Sequence, residues 1–255
     1  MRLLIKNGLI IDGTGSEAYK SDILIDRGIV QKIGNDLPTE NCEIIDASNR
    51  VVCPGFIDMH SHGDFAIMHV NKAEATIMQG VTTLVVAMCG IGVAPANDKV
   101  RRYYDEFVAK TFGSGKMKLY DTIKEYMDAI EKKGISTNLA FFIPQGNVRA
   151  SVLGTEDRKA TEQEIDEMKR IVQGNMEAGA FGLSTGLVYP PGSITPTEEI
   201  IELCKVVKKY NGIYDSHMRN EGTGVIKEGM NEIIRVAKEA KVQAQISHWK
   251  AGSSF

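Results

Sequence analysis

From Val51 onward, apolar stretches with a period of two take turns with stretches spaced at three and four, and this alternation does most to limit the fold. Strands that alternate with helices pair in parallel through right-handed crossovers. The expected strands cover 51–60, 82–88, 138–143, 181–185, 213–217 and 243–248. Helices are expected over 72–79, 120–133, 161–178, 197–210 and about 225–240. The helix at 161 opens with Thr161 and Glu164 in capping-box spacing. That makes six strand–helix steps, where a closed (β/α)8 barrel needs eight. The stretch 93–117 is longer than an ordinary connection; it has a helical portion near 100–109 and Gly-Ser-Gly at 113–115, and a lid or pocket wall is one expectation for it.

Residues 1–50 read differently. Short β runs at 3–6, 9–12, 22–26 and 29–33 are punctuated by Asn7-Gly8, Gly13 to Ser16 and Arg27-Gly28. Such a piece buries little apolar surface alone. The boundary is expected near Cys53-Pro54-Gly55, dividing the chain into 1–53 and 54–255.

Charge removes one class of partner. Lys plus Arg number 30 against 33 Asp plus Glu, a net charge of -3, so no basic excess is available for nucleic acid. The apolar start at Met1 to Ile5 is cut short by Lys6 and Asn7, and no segment approaches the roughly 20 apolar residues of a membrane span. A cytoplasmic chain with no membrane partner is the expectation. Cys42, Cys53, Cys89 and Cys204 are scattered without a Cys-x-x-Cys, which suits isolated thiols in a reducing compartment.

The histidines concentrate the chemistry. His60-Ser61-His62 ends an apolar run, where the period of a strand would turn both imidazoles to one face. His217 and His248 close the fifth and sixth strands, and Cys89 follows the second. In a parallel barrel those ends meet at one mouth, so separate strands would deliver imidazoles and a thiolate to a single divalent metal, zinc above all. A lone His-x-His is commonly a surface pair and a lone cysteine commonly a core thiol; their company changes the reading. His69 stands apart and is read as ordinary. Asp58 and Asp64 are expected to orient imidazoles.

These segments carry a resemblance. Pro54-Gly55-Phe56-Ile57-Asp58-Met59-His60-Ser61-His62 is similar to the opening of amidohydrolase-superfamily enzymes. Cys89-Gly90, Gly179 to Leu187, Ser216-His217-Met218-Arg219-Asn220-Glu221 and Ile246-Ser247-His248-Trp249-Lys250 resemble the N-acyl-D-amino-acid deacylases within that superfamily. The resemblance implies an α/β fold: a TIM-type (β/α)8 metal-dependent hydrolase barrel, incomplete after its sixth strand, with residues 1–53 as half of a small β-sandwich. It implies a tight zinc at Cys89, His217 and His248, and a second, weaker metal facing His60 and His62. Lys250 resembles the group that pairs a substrate carboxylate, and Tyr189 is a candidate pocket residue beside Val188. The implied reaction is hydrolysis of the amide of a small-molecule N-acyl-D-amino acid by a metal-activated water. No residue here matches the family's catalytic aspartate, so the general base is unassigned and a complementing C-terminal segment is an expected partner. Gln145 and Met88 depart from the family pattern, which has histidine and asparagine there. Two alternatives stay open: a cyclic amidase or dipeptidase of the same superfamily, and an inactive metal-binding fragment. The fourth strand contains no lysine, which counts against the cyclic amidases.

Overall fold

The computed structural model of the chain describes residues 2–108, 110 and 117–250. It divides into two compact units, Met1–Phe56 and Ile57–Phe255.

The first unit is a five-stranded sheet. Strands β1 (Arg2–Ile10), β2 (Tyr19–Asp26), β3 (Ile29–Gly34) and β4 (Glu43–Asp46) lie in the order β3-β2-β1-β4, with β5 (Val51–Val52) also on β1. β1 runs antiparallel to β2 and parallel to β4 and β5. The runs at 3–6 and 9–12 are therefore one strand with a bulge at Asn7. Asn7 takes a φ of 62°, a region its short polar side chain tolerates, and its N–H donates to Asp22 Oδ1 over 2.9 Å. Leu4, Leu24 and Leu37 form the small core. The expected strand 51–60 is in fact two: Val51–Val52 serves this sheet, and β6 (Phe56–Asp58) opens the next. Pro54 and Gly55 explain the break, since one lacks an N–H for a ladder and the other weakens a strand.

The second sheet has six strands in chain order, β6, β7 (Val81–Val86), β8 (Asn138–Pro144), β9 (Gly182–Gly186), β10 (Ile213–His217) and β11 (Gln243–Ile246). The registers found between β7 and β11 are all parallel. Chain-ordered parallel strands with intervening helices make the wall of a (β/α)8 barrel, here with six of its strands. The helices are α1 (Glu74–Ile77), α2 (Asp98–Tyr103), α3 (Ile123–Lys133), α4 (Gln145–Leu153), α5 (Glu162–Glu177), α6 (Thr197–Lys209) and α7 (Asn231–Ala240). Single π-type turns follow α2 at Tyr104–Val108 and precede α7 at Val225–Met230. The reciprocal box of Thr161 and Glu164 caps α5. β9 is wholly buried and built for close contact: a Cβ on Gly182 would fall on the Ile213 carbonyl, and one on Gly186 on that of Cys89.

Two features depart from the sequence pattern. α4 begins directly after β8, where no apolar period announces a helix, because it is buried on nearly every face. Tertiary contacts there override propensity. The described part of the long connection after β7 is packed: Val100, Tyr103, Tyr104 and Val108 cluster with Ile91, Ala96 and Ala150. The Gly-Ser-Gly segment lies outside the described residues. No helix among the described residues is long and apolar enough to cross a membrane.

Candidate functional site

The site forms where β6, β7, β10 and β11 end. His60 lies in the bend just beyond β6 and His62 at the residue before the short turn Gly63–Phe65, so the pairing of their rings does not come from strand alternation as expected. Cys89 follows β7 on backbone with a φ of 54°, and Ala87 and Gly90 share that left-handed region at 60° and 70°. His217 is the last residue of β10. His248 lies past β11 with a φ of 29°, so the chain there is not extended and Lys250 is not brought in by strand period.

Two triads meet on one sulfur. His60, His62 and Cys89 form one, and Cys89, His217 and His248 the other, each with its donor atoms within 4.8 Å of one another. Cys89 Sγ lies 3.2 Å from His60 Nε2 and 3.6 Å from His248 Nε2. A thiolate and an imidazole nitrogen at ordinary zinc distances, seen from a tetrahedral ion, stand about 3.6 Å apart. The rings of His217 and His248 are 4.4 Å apart edge to face, and those of His60 and His248 4.9 Å.

Electrostatics fit a soft divalent ion. Burial, reinforced by the neighbouring imidazoles, pushes His60 down to about 4, and burial does the same for His217 against the pull of Glu221. Both rings are thus neutral at pH 7 and keep a lone pair. Burial pushes the Cys89 thiol up to about 12, so a thiolate there calls for a cation beside it. The Nδ1 atoms of His60 and His62 are buried without a hydrogen-bond partner. The donor set suits zinc: nitrogen and sulfur, with His60 and His217 neutral and the Cys89–His248 edge at 3.6 Å.

Asp58 and Asp64 do other work than expected. Asp58 Oδ1 accepts from the His60 backbone N–H over 3.1 Å, bracing the bend rather than the ring. Asp64 is fully buried and accepts from Val93 N–H over 3.1 Å. Tyr189 reaches the site, but its hydroxyl donates to the Cys89 carbonyl over 2.5 Å, holding the strained backbone. Lys250 Nζ lies 2.9 Å from Glu221 Oε2 and 3.0 Å from His248 Nδ1. Glu221 is the residue that the sequence pattern had left without a role. Its only signal was an acid four residues past His217, in a segment with no helical period. His69 is not part of either triad.

Comparison with known proteins follows these features. The profile of the amidohydrolase family matches residues 43–246. A D-aminoacylase of Alcaligenes xylosoxydans xylosoxydans is 33% identical over 97% of this chain and 50% of its own length. A crystal structure of D-aminoacylase superposes with a TM-score of 0.87 at 31% identity, over 98% of this chain and 52% of that one. The N-acyl-D-glutamate deacylase of Bordetella bronchiseptica, solved with zinc and a phosphonate inhibitor, superposes with a TM-score of 0.84 at 28% identity, over 95% and 50%. The chain spans about half the length of the curated relatives it matches. Sheet order, donor set and profile agree, and the chain belongs to the amidohydrolase family, on the side of it where the D-aminoacylases lie.

Proposed function

We propose that this chain provides the metal-binding part of an enzyme that hydrolyses the amide of N-acyl-D-amino acids to a carboxylate and a free D-amino acid. The observation that carries the reading is the sharing of Cys89 Sγ between His60, at 3.2 Å, and His248, at 3.6 Å. Cys89, His217 and His248 would hold the tight zinc, and His60 and His62 would face a weaker second position. Bound zinc supplies a Lewis acid and brings a water's pKa to about 7.

The chain's own residues do the rest of what can be assigned. The neutral rings of His60 and His217 keep their lone pairs for the ion, and Tyr189 fixes the carbonyl of Cys89. Lys250, 54% exposed at its side chain, offers an ammonium to a substrate's α-carboxylate. β9 lacks a lysine, so the anionic ligand falls to Cys89 and the cyclic-amidase alternative loses its bridging group. No carboxylate of this chain is assigned as general base. β6 and β11 have no outer neighbour among the described residues, and a segment supplying two more strands would complete both the wall and the acid–base machinery. Like the catalytic roles, a cytoplasmic location is part of this proposal.

Elemental analysis should find zinc in the purified chain and lose it in Cys89→Ala. Hydrolysis of N-acetyl-D-methionine and N-acetyl-D-glutamate should then be measured with the chain alone and with the chain extended by such a segment. Turnover is expected in the extended form; turnover in neither ends the deacylase reading.

A further inference from the structure

One carboxylate at the mouth has no part in the reading so far. Glu221 is only 14% exposed at its side chain, and its Oε2 lies 3.4 Å from His217 Nε2. Its Oε1 lies 3.0 Å from His248 Nδ1, and its Oε2 also meets Lys250 Nζ at 2.9 Å. The other acids nearby are committed elsewhere: Asp58 to the His60 backbone, Asp64 to Val93, and Asp215 to Ser247 and Gln245.

A neutral imidazole has one N–H and one lone pair, and the partner of the first decides where the second points. His248 turns Nε2 toward Cys89 Sγ and Nδ1 toward Glu221. Lys250 Nζ also approaches that Nδ1, at 3.0 Å. An ammonium can only donate. Were it to donate to Nδ1, the ring proton would sit on Nε2 and face the sulfur, where no metal could be held. Glu221 resolves the conflict: its Oε1, buried and with no hydrogen-bond partner of its own, stands 3.0 Å from Nδ1 as the acceptor open to Nδ1–H, while its Oε2 draws the ammonium at 2.9 Å. His217, with Nε2 turned to the same carboxylate, keeps Nδ1 for a metal.

We infer that Glu221 is the positioning residue of the mouth: a single carboxylate sets the tautomers of His217 and His248 for metal binding and holds Lys250 beside them. The inference rests on the metal reading above. It also ties the group offered to a substrate carboxylate to the groups that load the ion.

The test uses the unchanged chain, Glu221→Gln and Glu221→Asp, each titrated with Zn2+ against a chelator. A neutral amide brings no charge and a single acceptor oxygen to the three nitrogens around it, so Glu221→Gln is expected to bind zinc about 10–100-fold more weakly, and Glu221→Asp to recover part of the loss. The metal-free proteins are expected to unfold at the same temperature. Zinc affinity of Glu221→Gln within about twofold of the unchanged chain overturns the inference, and so does a loss matched by collapse of the metal-free fold. Isotope-edited spectra of the histidine ring nitrogens in the zinc-loaded unchanged chain need no variant: the proton should sit on Nδ1 of His248 and Nε2 of His217. The opposite tautomer on either ring overturns the inference. Failure of the unchanged chain to take up zinc would remove the metal reading itself, whereas normal uptake with any of the preceding results removes only the role of Glu221.

Discussion

Neighbouring strands β7 and β8 leave the sheet in opposite ways. After β7 come four residues, 87–90, of which Ala87, Cys89 and Gly90 have left-handed backbone, and one of them delivers the shared sulfur. Such conformations cost on the order of 1–3 kcal/mol at each non-glycine residue. β8 instead passes into α4 with no residue between, and none of that helix's side chains joins either triad. Its polar groups face its neighbour: Gly146 N–H donates to the Gly90 carbonyl over 3.0 Å, and Asn147 Nδ2 to those of Gly92 and Pro95 over 2.8 and 3.1 Å. Tyr104 Oη closes the set, 2.7 Å from Gly92 N and 3.0 Å from Asn147 Oδ1. The difference teaches that a strained residue keeps its place only where the surroundings over-determine it. One strand end is regular so that the next can be irregular.

Mutation can break this division of labour at either side. The largest effect is expected from Arg149→Met in α4, which strands Glu199 as an unpaired buried acid; Arg149 and Glu199 are 0% and 2% exposed at the side chain. Breaking such a pair costs about 3–5 kcal/mol, read by urea unfolding of the metal-free chain. A loss below about 1 kcal/mol would show that the helix is not anchored through this pair. Asn147→Ala acts on the boundary between the two strand ends. Leaving the Pro95 carbonyl without this donor, and the Gly92 carbonyl with the Tyr104 hydroxyl alone, should cost about 1–3 kcal/mol and weaken zinc binding as well. Unaltered zinc affinity would detach the support from the loop. The smallest effect belongs to Glu164, remote from both. The Arg158 guanidinium, with the Thr161 backbone N–H, holds its pKa near 2 against an ordinary 4.5. A depressed native value means that its contribution is complete above about 4.5 and is lost as pH falls toward 2. Glu164→Gln should therefore flatten the thermal midpoint across that acid range and leave zinc binding alone.

How much of this could be read in the residues follows from which interactions are local. The six strands of the parallel sheet are visible as β-branched and apolar runs between helices with clear periods, and the cap of α5 is written in Thr161 and Glu164. Cys89, His60, His62, His217 and His248 stand out because their chemistry is scarce and their places recur after strands. α4 is not visible: its faces are all inward, so it has no stripe to recognise. The ring partners were also misplaced, because Asp58 and Asp64 are near the histidines in sequence while Glu221 is near them in space. A carboxylate's reach is a tertiary property. The left-handed residues Cys89 and His248 belong to the same class, since neither side chain announces that geometry.

The abrupt junction of Pro144 with Gln145 has a consequence for how the chain tolerates changes in length. A helix advances about 100° per residue. Insertion of one amino acid there would swing the amide of position 147 and the guanidinium of position 149 a quarter-turn or more from their acceptors, with no slack segment to absorb it. The spacer between a strand and its helix is thus a dial set to zero, and in this barrel wall a frame-preserving indel at that point would be as damaging as a lost ligand.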